Sequence, residues 1–515
     1  MGESIGYARL VERYQLNLPA LPIVSQIATA VHGRRTRHDG TCEIMEFQPS
    51  YRPADTLAGD LQFALRYEGL NLTVLALLFA KLGGNSIRQL IAAQLQSTFS
   101  RRIGYLYEWL TGQALDMTPL EVSPKSSYVP LLDESLQFGM SLAKSPRDPK
   151  YRVIDNLPGN PAFCPLVRRT SYLQTMVGKN LTQRTKEKLE RYDPDLLRRA
   201  AEYLYLKETQ SSFEVERERP SPARAQRFAD LLREAESGQA LSEDRFIELQ
   251  NAVVDERFRE ASYRTEQNWI GDHGLGHTPR VEFVPPRPED VRSLMDGLVA
   301  FSERLRADPA AIDPVIAAAG ISFGFVFIHP FIDGNGRLHR FLIHEQLSIA
   351  GFTPKGIILP VSAVILARIE KYSDALKAFS RPLNAIASYD PIVPKLPARG
   401  NDAVYYRYFD ATEQASFLYD ALDCTVEQDL EQEITYLLGY DLAKRALNAM
   451  LDWPPHSLGT FIRVVHQNND RLSINKRKSH FSWMLDEEVS RAEQIVAESF
   501  REATKEDRRK PRDLS

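Results

Sequence analysis

The stretch PVIAAAGISFGFVFIHPFIDGNGRLHRFLIHEQLSIAG, residues 314–351, constrains the fold more than any other part of the chain. It reads as an apolar helix that runs directly into a bend containing Gly334 and Gly336, then a second helix that starts within or just after the bend and stops near Gly351. Other segments carry the same periodicity. VRSLMDGLVAFSERL precedes the pair, and both LTQRTKEKLERYDPDLLRRAAEYLYLKETQ and SPARAQRFADLLREA place apolar residues three and four apart. Ser221 followed by Pro222 has the form of a cap and a first-turn proline. VSAVILARIEKYSDALKAFSRP predicts a further helix. The glycines and prolines of RTEQNWIGDHGLGHTPRVEFVPPRPEDV break this rhythm and predict a structured loop or small hairpin between helices.

The expectation is therefore a predominantly all-α chain. Its 515 residues allow about three units at roughly 150 residues each. Residues 1–170 mix helical and strand-like patterns, and RVIDNLPGNPAFCP is expected to close this unit as a loop. Residues 171–390 form the central helical unit, and residues 391–515 a helical C-terminal one, entered through the loop-like 388–402 and ending in a polar, frayed tail. VLALLFA and GIILPVSAVILA are too short or too interrupted for membrane spans and are expected in the core. No signal-like start precedes them, and Cys42, Cys164 and Cys424 are too scattered for a zinc pattern or a disulfide framework, so a reducing cytoplasm is expected. A formal charge of -4 gives the whole chain no basic field for nucleic acid, which leaves only a local patch in an accessory domain.

Chemistry concentrates in residues 329–340, HPFIDGNGRLHR. Gly334 and Gly336 permit a backbone that turns several N–H groups toward one phosphate, and a helix N-terminus behind them adds to the attraction. Arg337 and Arg340 lie three positions apart on one helical face and offer donor forks to a polyphosphate. Asp333 supplies a hard oxygen for magnesium, Asn335 an amide that can orient a phosphate, and His329 an imidazole able to take a proton from a hydroxyl near neutral pH. Together they point to attack on a nucleotide phosphate.

These residues contain every fixed position of the Fic core motif: histidine, any residue, phenylalanine, any residue, an acid, Gly-Asn-Gly-Arg, two residues, arginine. The chain thus resembles Fic proteins across about residues 181–387. That resemblance implies an all-helical catalytic domain that transfers an adenylyl group from ATP, with Mg2+, to a Ser, Thr or Tyr hydroxyl of a target protein. It makes His329 the base, Asp333 the magnesium-binding acid, Gly334, Asn335 and Gly336 the phosphate site, and Arg337 and Arg340 the phosphate contacts. Phe331 would wedge the loop. Val281, Glu282 and Phe283 resemble the flap that aligns an extended target segment by strand addition, or else they are a proline-bordered turn. Tyr372 resembles an aromatic that approaches the nucleotide base, a packing role being the alternative.

SSFEVE, residues 211–216, resembles the inhibitory helix that precedes the catalytic core in one Fic class, which would lie near residues 205–218 here. Ser212 and Glu216 occupy its two key positions, and Glu216 would pair with Arg340 and block the terminal phosphate of ATP. Arg217 departs from that pattern, and Glu214 and Glu218 are competing carboxylates. His339 and His344 lack a zinc spacing and are expected to pack. NKRKSH is read as a solvent face or interdomain contact. GNSIRQLIAAQLQSTFSRR allows helices with a basic edge, a helix-turn-helix included, while the aromatics of RRIGYLYEWLTG could form either a partner surface or their own core. The rival readings are a related enzyme with another donor or a de-modifying activity, and a catalytically silent interaction or DNA-binding regulator. A homo-oligomer remains open.

Overall fold

The computed structural model describes residues 2–40, 42–118, 121–235, 238–273, 279–387 and 402–509. The chain is predominantly helical with small β-sheets. The largest core is gathered around the Pro314–Ile328 helix, in which every residue from Val315 to Ile328 is buried. A helix apolar on all faces satisfies its side chains only when neighbours cover each of them. Asp313 caps it by accepting from the Val315 and Ile316 amides. Gly324 admits the Phe163 ring, since a Cβ there would lie 2.3 Å from that ring's Cζ.

Around this helix pack Pro288–Ala307, Asn335–Ile349 and Thr412–Cys424. The apolar pattern 361–382 resolves into two helices, Val361–Ala367 and Ile369–Asn384, parted at Arg368 (φ -123°, ψ 40°). Both belong to the same core, through Val364, Ile365, Tyr372 and Leu383.

The first unit holds a four-stranded sheet in the order Glu3–Ile5, Ile23–Ile27, Cys42–Phe47, Arg34–Asp39, with the middle pair parallel and the outer pairs antiparallel. Its helices Leu72–Ala92 and Thr98–Thr111 build a second core. Leu72–Ala92 is, among the described residues, the helix with the length and hydropathy to cross a membrane, yet Gly83 (φ 71°) kinks it and Leu75, Leu78 and Phe79 are buried. The basic edge expected near residue 101 is turned inward: Arg101 donates to the Ser127 and Arg152 carbonyls and Arg102 to that of Pro130. The aromatics 105–109 resolve as core, with Tyr107 buried and Trp109 against Tyr408.

The stretch expected as a loop, residues 152–165, is mostly irregular and largely buried, and Phe163 stands in the large core against Phe301 and Phe409. Residues 403–434 likewise share that core instead of starting a separate unit. Backbone bonds tie them to the first unit, from the Cys164 amide to the Arg407 carbonyl (2.8 Å) and from the Ala411 amide to the Leu166 carbonyl (2.8 Å). A distinct third core begins within the Leu430–Met450 helix, at Ala443, and runs to Phe500. The final helix, Asp486–Arg509, extends through part of the stretch expected to fray, while residues 274–278 and 510–515 and the loop expected at 388–401 lie outside the described residues.

Candidate active site

The site sits where the buried Pro314–Ile328 helix ends. His329 closes that helix in the left-handed region (φ 52°, ψ 60°), a conformation a non-glycine residue holds only when its surroundings enforce it. The enforcement is visible. The His329 amide bonds the Phe325 carbonyl (2.9 Å), and the Asn335 side chain brackets Phe331, accepting from its amide (3.1 Å) and donating to its carbonyl (2.8 Å). Phe331 is fully buried beside Tyr263, so the wedge expected of it is observed. Glu260 accepts from the Ile332 amide (2.8 Å), and Gln250 donates to the Asp333 carbonyl (3.3 Å). Gly334 (φ 92°) then opens the Asn335–Ile349 helix.

His329 is partly buried, with Nδ1 3.3 Å from the Val326 carbonyl. A carbonyl can only accept, so this contact places the proton on Nδ1 and leaves Nε2 as the basic nitrogen. Desolvation first, then the nearby Arg264 guanidinium, push its pKa down to about 4. The imidazole is therefore neutral at pH 7.

The two motif arginines are nearly inaccessible, at 1% exposure for Arg340 and 2% for Arg337. Both meet residues delivered by the Pro194–Val215 helix, which starts at an Asp193 cap with Pro194 in its first turn. That helix ends in a reversal at Arg217 (φ 57°), where the Glu218 amide returns to the Phe213 carbonyl (3.0 Å). The reversal presents two carboxylates. Glu216 pairs with Arg340 at 2.9 Å, and Glu218 pairs with Arg337 at 2.7 Å while also holding Arg224. Ser212, fully buried, accepts from Arg340 Nε through its hydroxyl (2.8 Å) and from Nη2 through its carbonyl (2.7 Å). Glu216 lies directly over Gly336, where a Cβ would come within 2.1 Å of its Oε1. A carboxylate thus occupies the anion-binding corner formed by Arg340 and the helix N-terminus.

Asp333 is engaged by its neighbours. Its Oδ1 accepts from Arg337 (2.8 Å) and from the Gly334 amide (2.6 Å). Among the described residues no group of three or more His, Cys, Asp or Glu converges as a metal site. One partly exposed carboxylate fits magnesium only as an ion that keeps waters and arrives with phosphate oxygens, the usual habit of that ion. Asn335 is likewise committed: both ends of its amide serve the loop, which leaves its backbone N–H for an anion.

The hairpin predicted before the Pro288–Ala307 helix is present as Ile270–His273 paired with Pro279–Phe283, with a bulge at Ile270/Gly271. Phe283 is buried among Phe327, Phe379 and Tyr406, and Val281 and Glu282 are partly exposed. Asn384 pins the strand by donating to the Glu282 carbonyl (2.6 Å) and accepting from the Val284 amide (3.2 Å). Tyr372 is 6% exposed, its ring among Phe323, His339 and Phe417. His339 packs in the same cluster, and His344 bonds the buried Glu208 (2.8 Å), so both histidines pack as expected. Of the residues that shape the site, Gln250, Glu260 and Arg264 escaped sequence reasoning, because most of their partners are backbone groups. Glu218 was noted as a competing carboxylate but not placed on Arg337.

Residues 240–347 match the model of the Fic/DOC family. The chain carries a Fic/DOC domain homologous to proteins named as protein adenylyltransferases. It is 35% identical over 127 residues to "Protein adenylyltransferase Fic" of Nematostella vectensis, a span of 24% of this chain and 26% of that relative. The protein of the same name from Drosophila willistoni is 36% identical over 99 residues, 19% and 17% of the two chains. The matches thus span about a quarter or less of those relatives. Among solved structures, a Fic domain containing signaling protein from Bacteroides thetaiotaomicron overlays 51% of this chain and 96% of its own, with 20% identity and a TM-score of 0.37.

Proposed function

We propose that this chain is a protein adenylyltransferase that uses ATP with magnesium to modify a hydroxyl of a target protein, and that Glu216 restrains it. The observation that carries the reading is the meeting of a neutral, tautomer-fixed His329 with an anion corner built by Gly336 and Arg340 at the start of one helix. In the reaction, the acceptor hydroxyl oxygen attacks the α-phosphorus of ATP. Its proton passes to His329 Nε2, the bond to the β-phosphate oxygen breaks, and pyrophosphate leaves. Magnesium, held by Asp333 and the phosphates, would neutralise charge on the departing group. Arg337 and Arg340 would bind the phosphates, Gly334, Asn335 and Gly336 would offer backbone N–H donors, and Asn335 would hold the loop. Tyr372 would border the base, and the strand with Val281, Glu282 and Phe283 would align an extended target segment.

The pairing of Glu216 with Arg340 supports the restraint, since the carboxylate fills the corner a terminal phosphate would need. Ser212 would hold Arg340 in that arrangement. The test is intact-protein mass measurement of the wild type and Glu216→Gly with ATP. Addition of one adenylyl group, greater in Glu216→Gly and absent in His329→Ala, is expected. Transfer of a uridylyl or phosphocholine group from the matching donor, with none from ATP, would overturn the choice of donor. The N-terminal unit and the helices after residue 434 are proposed to select targets or govern access.

A further inference from the structure

Arg264 is 4% exposed, and its guanidinium hydrogen bonds among the described residues go to backbone carbonyls, with the Glu260 carboxylate acting on it through charge alone. Its Nε donates to the His329 carbonyl (2.9 Å), Nη1 to that of Glu266 (3.0 Å) and Nη2 to that of Pro286 (2.6 Å). Its backbone N–H takes the Pro330 carbonyl (2.8 Å). Glu266 and Pro286 are the two feet of the hairpin Ile270–His273/Pro279–Phe283. A buried guanidinium held by neutral dipoles is costly, and desolvation lowers its pKa to about 10. What such an arrangement supplies is rigid, multi-point donor geometry.

We propose that Arg264 is a positioning residue that fixes the distance between the His329 loop and the hairpin, so that a target hydroxyl aligned by the hairpin falls within reach of Nε2. This rests on the transferase reading above. The reasoning is geometric. Three carbonyls from three separate segments converge on one planar fork, and two of those segments are the opposite ends of the target-aligning hairpin. The third is the carbonyl of the proton acceptor itself, at the left-handed residue that closes its helix. Arg340, Arg337 and Glu216, on the other side of the loop, touch none of these carbonyls. Displacement of a reacting group by about 1 Å can cost on the order of a hundred-fold in rate.

The experiment uses the full chain. Hydrogen exchange is measured on wild type, Arg264→Lys and Arg264→Ala, each checked for intact folding by thermal melting. The expected result is at least about tenfold faster exchange at 264–271, 283–287 and 329–333 together, with the Pro194–Val215 helix unchanged. This arm needs no activity. The second arm follows labelled ATP in the Glu216→Gly background. Arg264→Ala should lose about a hundred-fold in kcat with the KM for ATP within about threefold, added guanidinium ion should restore part of it, and Arg264→Lys should not substitute. Unchanged exchange at those three segments would overturn the clamp, as would a lysine variant with full kcat or a KM for ATP that rises in step with the fall in kcat. If Glu216→Gly transfers nothing from ATP, the transferase reading fails while the exchange arm still decides the clamp.

Discussion

The His329 loop is held from two sides by opposite means. On the side of the Pro194–Val215 helix charge pairs dominate, Glu216 on Arg340 and Glu218 on Arg337, with Ser212 also accepting from Arg340. On the side of residues 250–268 they are mostly neutral contacts to backbone, from Arg264, Gln250 and Asn268, with Glu260 accepting from Ile332. Phosphate oxygens can replace a carboxylate on a guanidinium, because both are anions of matching fork geometry. Nothing in a nucleotide can replace a guanidinium that donates to carbonyls. On the reading proposed above, the first side is exchangeable with ligand and the second is fixed, which suits the first to regulation and the second to alignment.

That comparison is sharpened first by His329→Ala. Loss of transfer on the order of a thousand-fold is expected in labelled-ATP assays, in both wild-type and Glu216→Gly backgrounds, because the fixed side would then hold a loop with no base. Appreciable transfer by the double variant would remove His329 from the reaction. Glu216→Gly comes next. A charge-assisted bond contributes about 1.5–3 kcal/mol, so releasing it should raise initial transfer rates by roughly ten- to a hundred-fold. A rate equal to wild type would make the Glu216–Arg340 pair a packing contact and dissolve the contrast between the sides.

Acidity tests the fixed side without a substitution. With His329 held down at about 4, below its ordinary 6.5, its base form persists through pH 5.5, where an unperturbed imidazole would already be mostly protonated. The acid limb of the rate profile assigned to this group should lie near pH 4, giving about tenfold more activity at pH 5.5 than a limb at 6.5 would allow. The groups bearing on it are Arg264, which lowers the value, and Asp333, which raises it. The linked stability runs the same way. Between pH 6.5 and 4 the unfolded chain binds this proton and the folded chain does not, so the contribution to stability falls as pH drops through that window.

The smallest effect is expected from Glu218→Gln. Arg337 keeps Asp333 and the Val253 carbonyl when Glu218 is neutralised, so little of its hold is lost. A gain of only about two- to threefold in transfer is expected from steady-state rates, and it should multiply with that of Glu216→Gly if the two pairs act separately. A gain larger than that of Glu216→Gly would invert the order of the two carboxylates.

Much of this was readable in the residues, and the limits have physical causes. The helix, bend and helix of 314–351 follow from local periodicity and glycine, and Ser221 from capping, all short-range effects that any window of sequence carries. The unit boundary was not readable. The stretches 152–165 and 388–402 have the proline and glycine content of linkers in sequence, yet Phe163 and residues 403–434 join the large core through partners far away in sequence. Arg101 and Arg102 look like a basic edge because charge in a sequence does not say whether its partner is water or a carbonyl.

The sequence by itself determined the chemistry: HPFIDGNGRLHR specifies an imidazole, a carboxylate, a backbone able to cradle phosphate and two guanidinium groups, and it specifies the local turn that brings them together. Only the tertiary structure decided how each is employed. It committed Asn335 to Phe331, shared Arg337 between Asp333 and Glu218, seated Glu216 over Gly336 and anchored His329 through Arg264. The reason is that hydrogen bonds to backbone and ion pairs between distant segments leave no periodic trace; they exist once packing of the apolar helices has fixed which polar groups meet.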